Sequence, residues 1–460
     1  MSPPAQIVSV RMLVLVPCAS IVLSIGAPAL RAELPGLRGW AEAVMGGTGA
    51  EGARVPYPSS PTRPHGLGLR LPSQRLPLTV HAPETNRSLA RATKLLAALE
   101  AGYDLLFAES WPLPLPDGGA GDSLGFDLYL RRAVPGRAGA GLDGPVPWGS
   151  LDSASSFGLV DDELDPSWFQ ACALSALAQA ALWGQDPGES AAWRRATSSY
   201  LAWRATGNFG CGSETSVRLG QAWRSWLGGG GGAGGLLLAM LSAREDGGDG
   251  SFVRELWQFA RQRSAGRSGV RVRPDLWDAL DRALSNAGEA LEQVLSDFAV
   301  ARFFSGTPAR SLAAPMPCLR SLATEAAVAL ERSLQQSHLP THVSARGPVE
   351  VLGSRYTLVA LDASEPASEL RVWLRGELGV RWLLTAVRLD SGYGELGRVS
   401  APPRGTGRSY VPVVLTPDTA RVLVVVTNLG RGLESFRRPT VLTRAFRLVL
   451  SLGTGVLDQR

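Results

Sequence analysis

The sequence predicts an α+β protein, a mainly helical domain with a small sheet followed by a C-terminal β-sandwich, and three observations lead there. Apolar residues recur at three- and four-residue spacing over most of the stretch from Asn86 to Gln336. Short alternating segments interrupt that pattern between Phe126 and Val160, and from about Val343 the period switches to two. At 460 residues and 45% hydrophobic content the chain can bury more than one core, which favours two or three domains.

Residues 1–32 read as a secretion signal: Arg11 precedes the apolar stretch Met12 to Leu30, and a cleavage point follows Ala32. Pro17, Gly26 and Pro28 break the apolar run, which favours cleavage over an uncleaved anchor. Cys18 has too little apolar sequence upstream, and Pro17 beside it, for a lipidated cysteine. The mature chain then begins near Glu33, in a secreted or cell-envelope setting, periplasm or outer surface, with no transmembrane span. Residues 33–75, rich in Gly, Pro and Arg, carry no sustained period and read as a linker, because such a composition buries too little apolar surface to offset the entropy of ordering it.

The domain at 76–338 opens on a short strand at Leu78-Thr79-Val80-His81. A helix follows from Asn86 to Leu106, with Thr85 or Asn86 as its cap and Leu89, Thr93, Leu96 and Leu99 in register. Phe126 to Leu130 and Ser156 to Val160 read as strands, the second ending in the acidic turn Asp161-Asp162-Glu163. The next helix, Ser167 to Trp183, has no charged residue and is apolar nearly all round, so it is expected to be buried; Gln170, Ser175 and Gln179 argue against a membrane span. Further helices are predicted at 190–206, 214–226, 236–244, 252–262, 274–285, 290–304 and 319–336. The Gly228 to Gly235 run lacks the Lys and Ser/Thr of a phosphate-binding loop and reads as a flexible loop. Seven short strands between 355 and 452 form the sandwich domain, 343–455.

Charge excludes little. The formal net charge is +5, but the basic residues are scattered arginines, Lys94 being the one lysine, and a nucleic-acid surface would concentrate them; none is expected. Three cysteines remain after export. Cys172 and Cys211 would staple the buried helix to the Gly-flanked loop at 207–212, leaving Cys318 as a thiol. No C-x-x-C occurs, so a zinc ribbon is excluded. His338 and His342 stand at i, i+4, but Pro340 between them disfavours a helical metal pair. Ser175 has no G-x-S-x-G elbow and no histidine near it in sequence. Trp373 and Trp382 could form a sugar platform, although tryptophans in strands more often fill cores.

The order of motifs carries a resemblance. An amphipathic helix, then Gly125-Phe126-Asp127-Leu128-Tyr129-Leu130, a Ser156-Phe157-Gly158-Leu159-Val160 strand with its acidic turn, a buried helix beginning near Ala171-Cys172, then Glu189-Ser190-Ala191-Ala192-Trp193 and a sandwich, resembles a family of exported bacterial zinc metalloproteases of the zincin-like type. The resemblance covers about residues 80 to 450 and implies a zincin-like fold for 76–338. In that family the buried helix carries H-E-x-x-H, two histidines one turn apart that bind zinc and a glutamate that activates water. Here the matching stretch is Ser175-Ala176-Leu177-Ala178-Gln179, and no histidine lies between Ala82 and Ser337. Glu189 matches the place of a third ligand or supporting carboxylate; without partners it reads as a favourable charge at a helix start. No metal, cofactor or catalytic residue is expected. The expected role is non-catalytic binding or structure at the cell surface, with a protein or glycan as partner; the alternative is a hydrolase using an unrecognised or partner-completed site.

Overall fold

A computed structural model of the protein describes residues 54–453, apart from 122, 147–149, 213, 229–230, 267, 307–316, 321, 323–325, 366 and 438–443. The signal segment and its cleavage point lie outside the described residues. So does the first half of the 33–75 linker. All described residues belong to one compact unit, 49–460.

The second half of the linker is ordered by pairing. Strand β1 (Arg54–Val55) pairs with β7 (Val270–Arg271), and β2 (Leu69–Pro72) pairs antiparallel with β3 (Leu78–Ala82). β3 runs parallel to β4 (Phe126–Arg131), and β4 parallel to β6 (Ala154–Asp161). The free edge beyond β6 is taken by an antiparallel strand, β5 (Ala138–Pro145), giving the order β2-β3-β4-β6-β5. Alternation along β3 and β4 sends Leu78, Val80, Ala82, Phe126, Leu128 and Leu130 to the main core, and His81, Asp127 and Tyr129 to the opposite face.

Helix α1 (Asn86–Ala108) begins where the Thr85 hydroxyl accepts the Ser88 N–H, so of the two caps weighed Thr85 is the one used. Helix α2 (Phe169–Gln185) has every described residue buried except Gln170, as its charge-free sequence requires. It packs against α1 and α3 (Ala191–Thr206); α4 (Glu214–Gly220) follows, and α5 (Gly234–Glu245), α6 (Ser251–Ala260), α7 (Leu276–Asn286) and α8 (Leu291–Phe303) continue outward from α3, each packed on the one before. α3 starts on a Ser190 cap and stops on Gly207 at φ +78°, the left-handed stop that glycine adopts without strain. α7 starts on a capping box between Asp275 and Asp278.

The C-terminal strands form two facing sheets. One has the order β13-β12-β15-β10-β8, the other β14-β11-β16-β9. The ranges are β8 (Leu330–Gln335), β9 (Thr341–Ser344), β10 (Ser354–Ala360), β11 (Glu369–Gly376), β12 (Trp382–Leu389), β13 (Glu395–Arg404), β14 (Arg408–Val414), β15 (Arg421–Asn428) and β16 (Phe446–Leu452). Val422, Val424 and Val426 face the partner sheet, while Leu423 and Val425 belong to the helical core. The five-stranded sheet is thus buried on both faces, which is why β15 reads as a continuous apolar run. Hydrogen bonds seal the junction: the Tyr356 hydroxyl donates to the Ala299 carbonyl at 2.7 Å, and Ser296 meets Thr385 at 2.8 Å.

Three expectations are corrected. The stretch 319–336 is not one helix: after a short turn of helix at Pro317–Arg320, residues 330–335 form β8, parallel to β10. The sandwich therefore starts before 343. The helix expected over 214–226 ends at Gly220. β5 was not anticipated at all.

Candidate functional site

A cavity of about 220 Å³ opens beside the middle of α2. Six segments wall it: the β4–β5 turn with the start of β5, α2, one face of α3, the loop at Gly210 to Gly212, α4, and the glycines and alanine before α5. α2 contributes Ser175 and Gln179, one helical turn apart. The Gln179 amide donates to the Ser175 hydroxyl at 3.4 Å, and Ser175 donates to Ser198 of α3 at 3.3 Å. Ser198 in turn donates to the Arg195 carbonyl at 3.0 Å. The chain of hydroxyls holds two helices together and contains no acid or base that titrates near neutrality.

The disulfide fixes one wall. Cys172 of α2 is bonded to Cys211, with Cα atoms 4.7 Å apart, as expected, so the loop at 210–212 is tied to the helix it covers. Cys318 stays outside the bridge, buried.

Of the four positions that the resemblance matched, Ala176 and Glu189 do not reach the cavity. Ala176 is fully buried against the sheet, its Cβ 3.5 Å from where a Cβ on Gly158 would stand. Glu189 is buried among helix starts: its carboxylate accepts the Ser190 N–H at 2.6 Å and the Leu276 N–H at 2.7 Å. Glu189 thus caps α3 and α7, which matches the helix-start reading. Burial raises its pKa to about 7, helped by repulsion from Asp275 and opposed by those two N–H groups. Burial likewise pushes Asp186 well above the carboxylate range. Arg194, buried over the Trp183 ring and bonded to the Glu189 carbonyl, is lowered to about 10 by burial.

Of the remaining cavity residues, the sequence singled out the Cys211 loop and the Gly228 to Gly235 run but none of the side chains from α3 and α4. Arg195 and Arg218 line it, neither paired with a carboxylate among the described residues, and no Asp or Glu joins them in the lining. Ser199 is 2% exposed, and its hydroxyl has no hydrogen-bond partner among the described residues. The glycine run read as a flexible loop packs tightly where it is described. A Cβ on Gly231 would stand 2.3 Å from the Ala192 carbonyl, and Gly235 already belongs to α5. The signal that could have pointed here is charge composition. Between Glu189 and Glu245 the chain has six arginines, Arg194, Arg195, Arg204, Arg218, Arg224 and Arg244, against one acid, Glu214.

A second polar cluster occupies the opposite face of the N-terminal sheet. Arg63, from the former linker, donates to Asp117, Asp127 and Asp143 at 2.5–3.0 Å and to the Tyr129 hydroxyl at 2.9 Å. His81 and Ser123 also bond Asp127, at 2.8 and 2.9 Å. Burial disfavours the Asp127 anion, but the hydrogen bonds of His81, Ser123 and Arg63 outweigh it and hold its pKa below the usual value. Burial disfavours the Arg63 cation too, and its bonds to Asp143 and Tyr129 raise its pKa above the ordinary arginine value regardless.

The other histidines are dispersed. His338 ends a short turn, where its Nδ1 accepts the Gln335 N–H, and His342 lies on β9. Among the described residues no group of three or more His, Cys, Asp or Glu side chains is placed to hold a metal ion. Among them, too, no helix is long and apolar enough to cross a membrane. Trp382 is 1% exposed in the sandwich core, whereas Trp373 is half-buried on the outer face, its ring 5.1 Å from that of Tyr410.

No family model matches the sequence, and no curated protein matches it either. Among solved structures, CorA, described as a surface-associated copper-binding protein of Methylomicrobium album BG8, is similar over 27% of this chain and 98% of its own, at 10% identity and a TM-score of 0.20. The enzymatically active domain of tailspike protein 4 of bacteriophage CBA120 aligns with 24% of this chain and 18% of its own, at 10% identity and 0.17. The insecticidal delta-endotoxin Cry8Ea1 of Bacillus thuringiensis aligns over 24% and 19%, at 12% identity and 0.15. Similarity this slight assigns neither a fold nor an activity to the chain.

Proposed function

We propose that the protein is an exported, non-catalytic relative of zincin-like metalloproteases that uses the cleft beside α2 for binding at the cell surface, with a protein or glycan as partner. One observation carries the reading. Ser175 and Gln179, the positions at which an H-E-x-x-H helix would present its zinc ligands, line the cleft and bond to each other and to Ser198. Side chains that fill ligand positions while satisfying one another supply neither a metal-binding pair nor a general base. The mixed sheet above a central buried helix, with an antiparallel edge strand beside the cleft, supports descent from such a scaffold. Fold can outlast chemistry. The Arg11 to Ala32 pattern and the disulfide support export, since disulfides persist in oxidising compartments.

The test is elemental analysis of the purified mature chain together with a peptidase assay with and without a chelator. No stoichiometric zinc and no chelator-sensitive activity are expected. One zinc per chain, with activity abolished by the chelator and restored by zinc, overturns the proposal.

A further inference from the structure

We infer that the cleft beside α2 is a site for a tetrahedral oxyanion, the phosphoryl or sulfuryl group of a small ester. This rests on the reading of the cleft as a binding site and gives that site a ligand class. Three features of different origin converge on the one cavity. Arg195 and Arg218 bring two permanent positive charges, with no carboxylate in the lining to neutralise them. The residues just before α5, Gly231 to Ala233, form another wall; their carbonyls already take the N–H groups of Gly234, Gly235 and Leu236, so the backbone donors this wall can offer an anion are those of Gly232 and Ala233, which have no backbone acceptor among the described residues.

The third feature is the hydroxyl of Ser199, buried and without a partner, a condition that costs free energy unless something else supplies the hydrogen bond. Glycine lets the backbone pack closely around it. A Cβ on Gly235 would stand 2.9 Å from that oxygen, on Gly210 3.4 Å and on Gly232 4.0 Å. A Cβ on Gly232 would also stand 2.8 Å from the Thr215 hydroxyl. Side chains at Gly235 and Gly232 would collide with these hydroxyls. The donors approach from α3, α4 and the start of α5, more directions than the two oxygens of a planar carboxylate can use and suited to a group with three free oxygens. The cavity exceeds the roughly 30 Å³ share of one water several-fold, which leaves room for atoms beyond the anion itself.

The experiment is calorimetric titration of the full mature chain, in a buffer free of phosphate and sulfate, with inorganic phosphate, inorganic sulfate, glycerol 3-phosphate and acetate. Saturable binding of phosphate is expected. A tighter glycerol 3-phosphate would assign an esterified ligand, and equal affinity a free oxyanion; either supports the site. Arg195→Gln and Arg218→Gln should each weaken phosphate by about tenfold, the effect of one charge-assisted hydrogen bond. Arg195→Lys and Arg218→Lys, which keep the charge, should retain part of it, and thermal melts verify that each variant folds. Absence of binding up to about 10 mM phosphate, or binding that both Gln variants leave unchanged, or acetate binding as tightly as phosphate, overturns the inference. Those results leave the zinc and peptidase assay untouched. Chelator-sensitive peptidase activity would overturn the functional proposal while saying nothing against an anion site.

Discussion

The Arg63 cluster and the α2 cleft are both built from polar side chains gathered by distant segments, and they differ in one respect: whether the partners are complete. Three carboxylates and the tyrosine bond the Arg63 guanidinium and the histidine bonds Asp127, with Arg63 7% exposed at its side chain and Asp127 fully buried. In the cleft two arginines stand without a carboxylate, and a buried serine has no partner. A saturated cluster leaves nothing to offer a ligand and serves to hold structure; an unsaturated one is stable only if its deficit is met from outside. Motif searches see neither, because both are assembled by topology rather than spacing.

The largest effect should come from breaking the saturated cluster. Arg63→Met removes the cation that three aspartates share and leaves only Asp127 with other side-chain donors, His81 and Ser123. Breaking a buried pair from one side typically costs about 3–5 kcal/mol. Chemical denaturation should show a loss of that size, while phosphate binding at the cleft persists in whatever fraction stays folded. A loss below about 1 kcal/mol would mean that the arm carrying Arg63 adds little to stability.

A smaller effect, read by pH, sets Asp127 of the Arg63 cluster against Glu189, a buried carboxyl outside the cleft. The Glu189 carboxyl, with a folded pKa of about 7, lies above its ordinary value, so the folded state holds a proton that the unfolded chain has released over that interval. Stability from this group is therefore greatest below the unfolded value and falls as pH rises towards about 7, then levels. Asp127 is shifted the other way, so its contribution is present above the ordinary aspartate value and disappears only as pH falls through its depressed pKa. Between pH 5 and 8 the wild type should lose on the order of 2–3 kcal/mol relative to Glu189→Gln, in which nothing ionises. Parallel stability curves for the two proteins would show that Glu189 is ionised throughout.

How much of this was legible follows from what sequence signals report. α1 and α2 were readable because their period and lack of charge depend on local spacing and burial. The Cys172–Cys211 bridge followed from a cysteine count and two placements. β8 misled because Leu330, Glu331 and Arg332 are good helix formers. Tertiary pairing to β10 decided the matter, and Glu331 is buried against Arg355 at 3.1 Å. β5, Ala-Gly-Ala-Gly-Leu-Asp-Gly-Pro, has almost no strand propensity. Its glycines matter to packing instead: a Cβ on Gly141 would stand 2.3 Å from the Phe157 ring. Arg63 gave no sign at all, being one arginine in a proline-rich segment whose composition looked like a linker. The lack of any histidine between Ala82 and Ser337 was visible in the sequence, whereas the arginines and hydroxyls of the cleft could be joined only by the fold.

The smallest effect is the sharpest test of the comparison, because it predicts a sign rather than a size. Ser199→Ala removes a buried hydroxyl that has no hydrogen-bond partner, so the folded protein loses no bond and is relieved of the cost of having desolvated that group. The methyl that remains fits where Cβ already stands, with no cavity larger than an oxygen atom. Stability without phosphate should therefore be unchanged or rise by up to about 1 kcal/mol. A serine that bonded within the fold, such as Ser305, whose hydroxyl donates to the Arg302 and Ala326 carbonyls at 2.7 and 2.8 Å, should lose about 1 kcal/mol or more when changed to alanine. If Ser199→Ala destabilises as much as Ser305→Ala, the Ser199 hydroxyl has a partner within the chain, and the contrast between a saturated and an unsaturated cluster fails at the residue on which it most depends.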